Sequence, residues 1–356
     1  MPSLDPALTA ELQQLLDTAV ADGFIPGAVL SVQAPGYAPW TGASGLADRD
    51  QQVRMTPSTP IRIASVSKMF TAVVVMQLVE EGTIALGAPV ATWFPDLLPD
   101  GERITVRQLL QHTSGVYDYL EDRSFVAQAQ RGHERVWKPE ELVAYAVRFP
   151  SGRLGRWDYS STNYVVLGML VERVTGQSLA QQMRQRIFEP FDMRETVFAP
   201  QEAVPQRMAH GYSQRTDITN VSMSFGFATS SIVSTAEDLQ RFGQALFAGD
   251  VLRTETRALM FDFVSGRGQY GMPNLEYGLG MMRNQLPLDS FSIQRAYSID
   301  DRMVIGHIGG YGGFRTALWY APASDVLITL SFNQAQADPN DVATAALDRV
   351  LVSLGR

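Results

Sequence analysis

Ser65-Val66-Ser67-Lys68 opens an apolar run that continues to Val79. On a helix, residues three apart lie on one face about a turn from each other, so the Ser65 hydroxyl and the Lys68 amine can meet. A serine hydroxyl attacks well only when a base takes its proton, and an amine can do that only when neutral. Of the 29 basic residues only Lys68 and Lys138 are lysines. Arginine does not give up its proton in a protein, whereas burial can lower a lysine pKa into the working range. A lysine in an apolar helix of an arginine-dominated chain therefore suggests a base. The start of that helix would also bring backbone N–H groups near a developing oxyanion. Ser67 also sits beside Lys68, but adjacent helical residues do not face each other, which leaves Ser65 as the better nucleophile. The pair alone is a weak signal, because a capping serine and a snorkelling lysine leave the same pattern.

Two further clusters could join it. Tyr159-Ser160-Ser161-Thr162-Asn163-Tyr164 is a short polar segment just before an apolar helix, and read alone it is an N-terminal cap. His307-Ile308-Gly309-Gly310-Tyr311-Gly312-Gly313 is glycine-dense and leads into a strand; glycines there let another backbone or a substrate approach closely. It lacks the strand-to-helix context of a phosphate-binding loop, which argues against a nucleotide site.

In this order and spacing the three clusters resemble the Ser-x-x-Lys, Tyr-Ser-Asn and His-Thr-Gly triplet of the serine β-lactamase and penicillin-binding-protein superfamily. Soluble D-alanyl-D-alanine carboxypeptidases and class C β-lactamases are the members they are most similar to. Ile104 to Gln108, His112 to Tyr119, Tyr159 to Gly168 and Tyr277 to Gly280 also resemble that family's segments. The resemblance implies that Ser65 is acylated, Lys68 deprotonates it and Tyr159 relays a proton to the leaving group. It implies an oxyanion hole from the backbone N–H groups of Ser65 and Gly310, worth a few kcal/mol of barrier per donor. Ser161, His307, Ile308 and Gly309 would then contact substrate, with Tyr117, Tyr119, Tyr311 and Met282 shaping the pocket. No cofactor is implied, and four scattered histidines make no metal-ligand pattern. His112 is expected to close the turn after its helix, and His133 and His210 have no partner identifiable from sequence.

Two positions depart from the family pattern: Ser161 stands where asparagine is usual, and Ile308 where threonine or serine is usual. Isoleucine cannot donate a hydrogen bond to a substrate carboxylate. In Gly280-Met281-Met282-Arg283 the basic residue is displaced by one from the position of the carboxypeptidase's carboxylate-binding arginine. Overall similarity favours a D-alanyl-D-alanine carboxypeptidase-like peptidase; Ile308 and the relaxed second motif favour a carboxylesterase of the same fold. A rapid β-lactamase is less well supported, and a non-catalytic binding or scaffold protein of this fold is the alternative from another class. A Ser-His-Asp hydrolase would need a Gly-x-Ser-x-Gly elbow, which the chain lacks.

The elements that must hold these groups follow from periodicity. Leu8, Leu12, Leu15, Leu16 and Val20 predict a helix over 5–22. Residues 27–33 and 39–46 predict a hairpin around Pro35-Gly36, and Ser65 to Glu81 a helix closed by Gly82. Thr105 and Gln108 form a capping box, Pro139 opens a helix to Phe149, and helices are expected over 163–175, over 178–188, and from Thr235 to about Gly249. Strands 314–320 and 326–332 and a helix over 340–354 close the chain. The predicted fold is α/β of the α+β type: an antiparallel sheet flanked by terminal helices, with an all-helical domain inserted. Residues 1–62 and 276–356 are assigned to the α/β domain and 63–275 to the helical one, with the site in the cleft between them.

A chain of 356 residues, 45% hydrophobic and 19% charged, has the balance of a globular protein with a large core. A net charge of -8 disfavours nucleic acid and anionic membrane as partners, leaving a small molecule or short peptide as the expected one. No apolar run is long enough to span a bilayer. With no cysteine there are no disulfides, and the N-terminal residues have no secretory pattern. Both facts fit a cytoplasmic chain and a secreted or periplasmic one whose signal has been removed.

Overall fold

The computed structural model describes residues 1–131, 135–249, 251–266, 268–288 and 297–355. Its main sheet is antiparallel. Gly27–Gln33 pairs on one side with Trp40–Asp48 and on the other with Val326–Phe332. The sheet continues through Phe314–Ala321, Met303–Tyr311, Met282–Gln285 and Glu276–Tyr277 to Val264–Ser265, while Val53–Arg54 forms the opposite edge.

Successive strand side chains point to opposite faces, and the two faces bury different partners. Ala28, Leu30 and Val32 pack with Leu8, Leu12 and Leu16 of the helix Pro6–Val20 and with Leu347, Val350 and Leu351 of Pro339–Ser353. Val29, Leu318 and Leu327 point the other way, into the larger core shared with the middle of the chain. Burial on both faces explains why Gly27–Gln33 reads as a nearly continuous apolar run.

The middle is mainly helical. The helix Ser67–Glu80 is buried on nearly every side, as expected of a helix apolar all round, and Ser161–Thr175 is buried through Val171. Capping follows the sequence at Thr105, where the capping box is formed, and at Thr235, whose hydroxyl accepts the Asp238 N–H. Two details differ from expectation. Ser65 lies in a 3-10 turn, Ala64–Val66, ahead of the α-helix, and the 178–188 segment divides into the α-helix Leu179–Met183 and a π-turn, Arg184–Phe188. The middle also holds two small antiparallel sheets, Ile61–Arg62 with Ile232–Ser234 and Val197–Phe198, and Tyr212–Ser213 with Thr216–Asp217. Strands of two or three residues carry too few positions to display a period.

Candidate active site

Ala64 has φ +49°, a left-handed conformation that costs a non-glycine residue about 1–2 kcal/mol. It turns the chain between the strand Ile61–Arg62 and the nucleophile helix. Ser65 makes no capping bond, and Lys68 Nζ lies 3.1 Å from its Oγ and 3.3 Å from the Thr229 carbonyl oxygen. The hydroxyl of Ser67 faces away and accepts the Ile232 N–H at 3.3 Å. Lys68 is fully buried, with its amine 5.1 Å from the Tyr159 ring centre and 5.8 Å from that of Tyr164. Burial lowers its pKa to about 7, opposed by the Asp118 carboxylate, so near neutral pH a large fraction of the amine is unprotonated.

Tyr159 stands just before the helix Ser161–Thr175, half-buried, with its hydroxyl interacting with the Ser65 side chain. Burial raises its pKa well above the usual tyrosine value, so this hydroxyl keeps its proton while Lys68 loses one. The ring is enclosed by His112 at 4.2 Å, Tyr270 at 5.5 Å, Tyr277 at 6.1 Å and His307 at 6.3 Å, centre to centre.

The strand Met303–Tyr311 crosses in front of Ser65. A side chain at Gly309 would put its Cβ 2.4 Å from the Ile63 carbonyl oxygen and 3.0 Å from the Ser65 nitrogen, so only glycine lets strand and turn approach this closely. Gly310 follows it, exposed. His307 is fully buried: its Nε2 is 3.0 Å from the Tyr277 hydroxyl and its Nδ1 2.5 Å from the Ile308 carbonyl oxygen. Burial, and secondarily the charge of Lys68, lowers its pKa to about 3, which leaves the ring neutral. Ile308 points to the opposite face, half-buried beside the terminal-helix core.

Some expected substrate contacts lie elsewhere. Ser161 is only 2% exposed, and its N–H donates to the Asp118 carboxylate at 3.0 Å. Met282 is also 2% exposed and packs in the terminal-helix core, because its pairing opposite Gly306 turns the side chain into the sheet's covered face. Tyr117 remains half-exposed, stacked on Phe149 at 4.3 Å. Tyr119, by contrast, is fully buried with its hydroxyl donating to the Phe225 carbonyl, which places it behind the site. Arg283 is held by Glu276, with Nε 2.6 Å from the carboxylate. His210, expected to be unpartnered, has its Nδ1 2.7 Å from Asp217; His133 lies outside the described residues.

Sequence reasoning gave no role to Asp118. Its carboxylate accepts the Leu120 and Ser161 N–H groups, each at 3.0 Å, and its charge acts on Lys68, Tyr159 and Tyr270. Burial raises its pKa. The available signal was an acidic residue set between two tyrosines, Tyr117 and Tyr119. Beyond Gly310, Tyr311 and Gly312 border a cavity of about 480 Å³ whose other walls include Leu120, Phe125, Val221 and Phe225.

A fully buried lysine 3.1 Å from a serine hydroxyl, with a protonated tyrosine beside it, has the chemistry to supply a nucleophile, a base and a proton donor. The Beta-lactamase family model matches residues 12–353. The chain belongs to the Beta-lactamase family. Among its relatives, the putative penicillin-binding protein PbpX of Bacillus subtilis (strain 168) is 29% identical over 259 residues, 70% of this chain and 63% of that protein. Esterase EstB of Burkholderia gladioli is 36% identical over 225 residues, covering 59% of this chain and 56% of the esterase. In both cases the match spans less than two thirds of the relative's length.

Solved structures match more fully. A D-stereospecific amidohydrolase from Streptomyces sp. superposes with a TM-score of 0.82 at 32% identity, covering 95% of this chain and 98% of that one. The D-amino acid amidase of Ochrobactrum anthropi SV3, complexed with L-phenylalanine, gives 0.84 at 27% identity and 98% of both chains. With such relatives this Beta-lactamase family member is a serine hydrolase. No helix among the described residues is long and apolar enough to cross a membrane.

Proposed function

We propose that the protein hydrolyses amides or esters of D-amino acids with apolar side chains through an acyl-enzyme on Ser65, and that its substrates lack a free carboxylate next to the scissile bond. The carrying observation is the 3.1 Å approach of the buried Lys68 amine to Ser65 Oγ. Neutral Lys68 takes the Ser65 proton as Oγ bonds to the substrate carbonyl carbon. The carbonyl oxygen becomes an oxyanion facing the Ser65 and Gly310 N–H groups. Tyr159 gives its proton to the departing amine or alcohol and recovers one from Lys68. Water then attacks the acyl carbon, Lys68 takes a proton from it, and Ser65 Oγ leaves and is reprotonated.

Three features support this substrate class over the carboxypeptidase expectation. Arg283 is ion-paired with Glu276, and Ile308 offers no donor, so neither suits a substrate carboxylate. The cavity past Gly310 is walled by apolar side chains and suits an aryl or branched alkyl group. The charges of Asp118, Glu121 and Asp158 act together on Tyr270, an exposed ring 5.5 Å from that of Tyr159, a field that favours an approaching ammonium. Two structural relatives act on D-configured amides by their titles, and one has been solved with D-phenylalanine.

The test compares D-phenylalanine amide, L-phenylalanine amide and an acyl-D-Ala-D-Ala peptide, using wild type and Ser65→Ala. Ammonia release from the D-amide, reduced at least about 10³-fold by Ser65→Ala, is expected. D-alanine release from the peptide without amide cleavage would restore the carboxypeptidase reading. Cleavage of short-chain nitrophenyl esters alone would make the protein an esterase.

A further inference from the structure

His112 is a buried histidine that the steps above do not use, and three kinds of contact join it to Tyr159. Its carbonyl oxygen accepts the Asp158 N–H at 2.8 Å, and its Nδ1 accepts the Ser160 N–H at 3.2 Å, so it grips the chain immediately before and after the tyrosine. Its ring lies 4.2 Å from the Tyr159 ring at an angle of 32°. Asn163 Nδ2 also reaches Nδ1, at 3.2 Å, while Asn163 Oδ1 accepts from Ser114 at 2.6 Å. Two donors converge on Nδ1, so Nδ1 carries a lone pair and the ring proton sits on Nε2.

Histidine is a costly residue at this position. His112 adopts φ +56°, a strained conformation for a residue with a side chain, and its buried Nε2 has no hydrogen-bond partner among the described residues. An unpaired buried polar group costs about 1–3 kcal/mol; phenylalanine or leucine would remove this one but take the Nδ1 acceptor from the Ser160 N–H and Asn163 Nδ2. What histidine adds is the acceptor at Nδ1, fixed by the ring that stacks on Tyr159.

We infer that His112 is the positioning residue for Tyr159: as a neutral ring it holds the phenol where it can protonate the leaving group. This rests on the proposed role of Tyr159 in the Ser65 reaction. A misplaced proton donor should harm poor leaving groups and spare good ones, since p-nitrophenolate departs without a proton and an amine does not.

The experiment measures hydrolysis of D-phenylalanine amide and D-phenylalanine p-nitrophenyl ester, which share one acyl group, by wild type, His112→Phe, His112→Asn, Tyr159→Phe and the His112→Phe/Tyr159→Phe double variant. His112→Phe keeps a ring but loses the acceptor; His112→Asn keeps an acceptor and tolerates positive φ. The amide kcat should fall about 100-fold in His112→Phe, with KM within about twofold and the ester slowed less than about threefold. His112→Asn should recover most of the loss. The double variant should be no slower on the amide than Tyr159→Phe, because residues acting through one group are not additive. Equal losses on amide and ester, or additive losses in the double variant, overturn the inference. If His112→Phe does not fold, the same leaving-group comparison is read on His112→Asn, whose near-wild-type amide rate supports the role and whose equal losses refute it. A wild type inactive on both substrates, or an active Ser65→Ala, counts against the proposed function instead.

Discussion

Around Ser65 the reacting groups are fixed by buried polar contacts: Lys68 against Ser65 and Thr229, His112 against Ser160, Asp118 against Ser161 and Leu120. Farther along the same strand, Tyr311 and Gly312 border the cavity, where Leu120, Phe125, Val221 and Phe225 supply shape and little hydrogen bonding. A hydrogen-bonded centre tolerates almost no displacement, whereas an apolar wall changes what fits without changing the reaction. The first region should therefore govern the chemical steps, including which leaving groups depart, and the second should govern choice among acyl side chains.

The strongest way to break this division is at Lys68. Lys68→Met should lower kcat/KM by about 10³-fold on amide and ester alike, within the range of general base catalysis. In the proposed mechanism only the unprotonated amine accepts the Ser65 proton, so wild-type kcat/KM should rise with pH and level off above about 7, the value to which burial lowers Lys68. A profile flat from pH 5 to 9 would remove Lys68 as the base. The same burial predicts a stability effect. Between about 7 and the ordinary 10.5 the folded state binds fewer protons at Lys68 than the unfolded state, so its contribution to wild-type stability increases with pH across that window. The cost of the buried ammonium is fullest below about pH 7. Lys68→Met should thus raise Tm at pH 7, by a margin that narrows toward pH 10.

A smaller effect is expected at the cavity. Val221→Trp should cut kcat/KM for D-phenylalanine amide about tenfold and leave D-alanine amide within about twofold, a difference of the size pockets give for lost apolar fit. Equal losses on both would mean that the cavity is not where the side chain goes.

The smallest change is at the boundary between the regions. Ile308 points away from Ser65, so Ile308→Thr adds a hydroxyl on the far face of the strand and should change turnover of acyl-D-Ala-D-Ala by less than about twofold. D-phenylalanine amide should be equally insensitive, and a gain of about fivefold or more on the peptide would mean that the side chain at 308 reaches the substrate.

Much of this was legible along the chain. Leucines at helical spacing put Pro6–Val20 on the sheet, and the Thr105–Gln108 box placed its helix start. Ser65, Lys68, Tyr159 and Gly309 could be singled out because three local clusters, each weak alone, together resemble the family's triplet in order and spacing. Asp118 was passed over because an acidic residue in a loop reads as exposed; its burial depends on two N–H groups, one of them 43 positions away at Ser161. The contact between His112 and Tyr159 was hidden for the same reason. Met282 was misplaced because a four-residue strand does not reveal which face is covered until its pairing with Gly306 is known.

By itself the sequence determined the serine, the only lysine within an apolar helix, the tyrosine and the glycine-rich strand, because helix faces, caps and strand alternation are set by nearest neighbours. The tertiary structure decided the rest: how far the Lys68 pKa falls, which way Ile308 and Met282 point, that Glu276 occupies Arg283, and that His112 clasps Tyr159. Those outcomes depend on which distant segments exclude water from one another, and desolvation and pairing are properties of the packed chain.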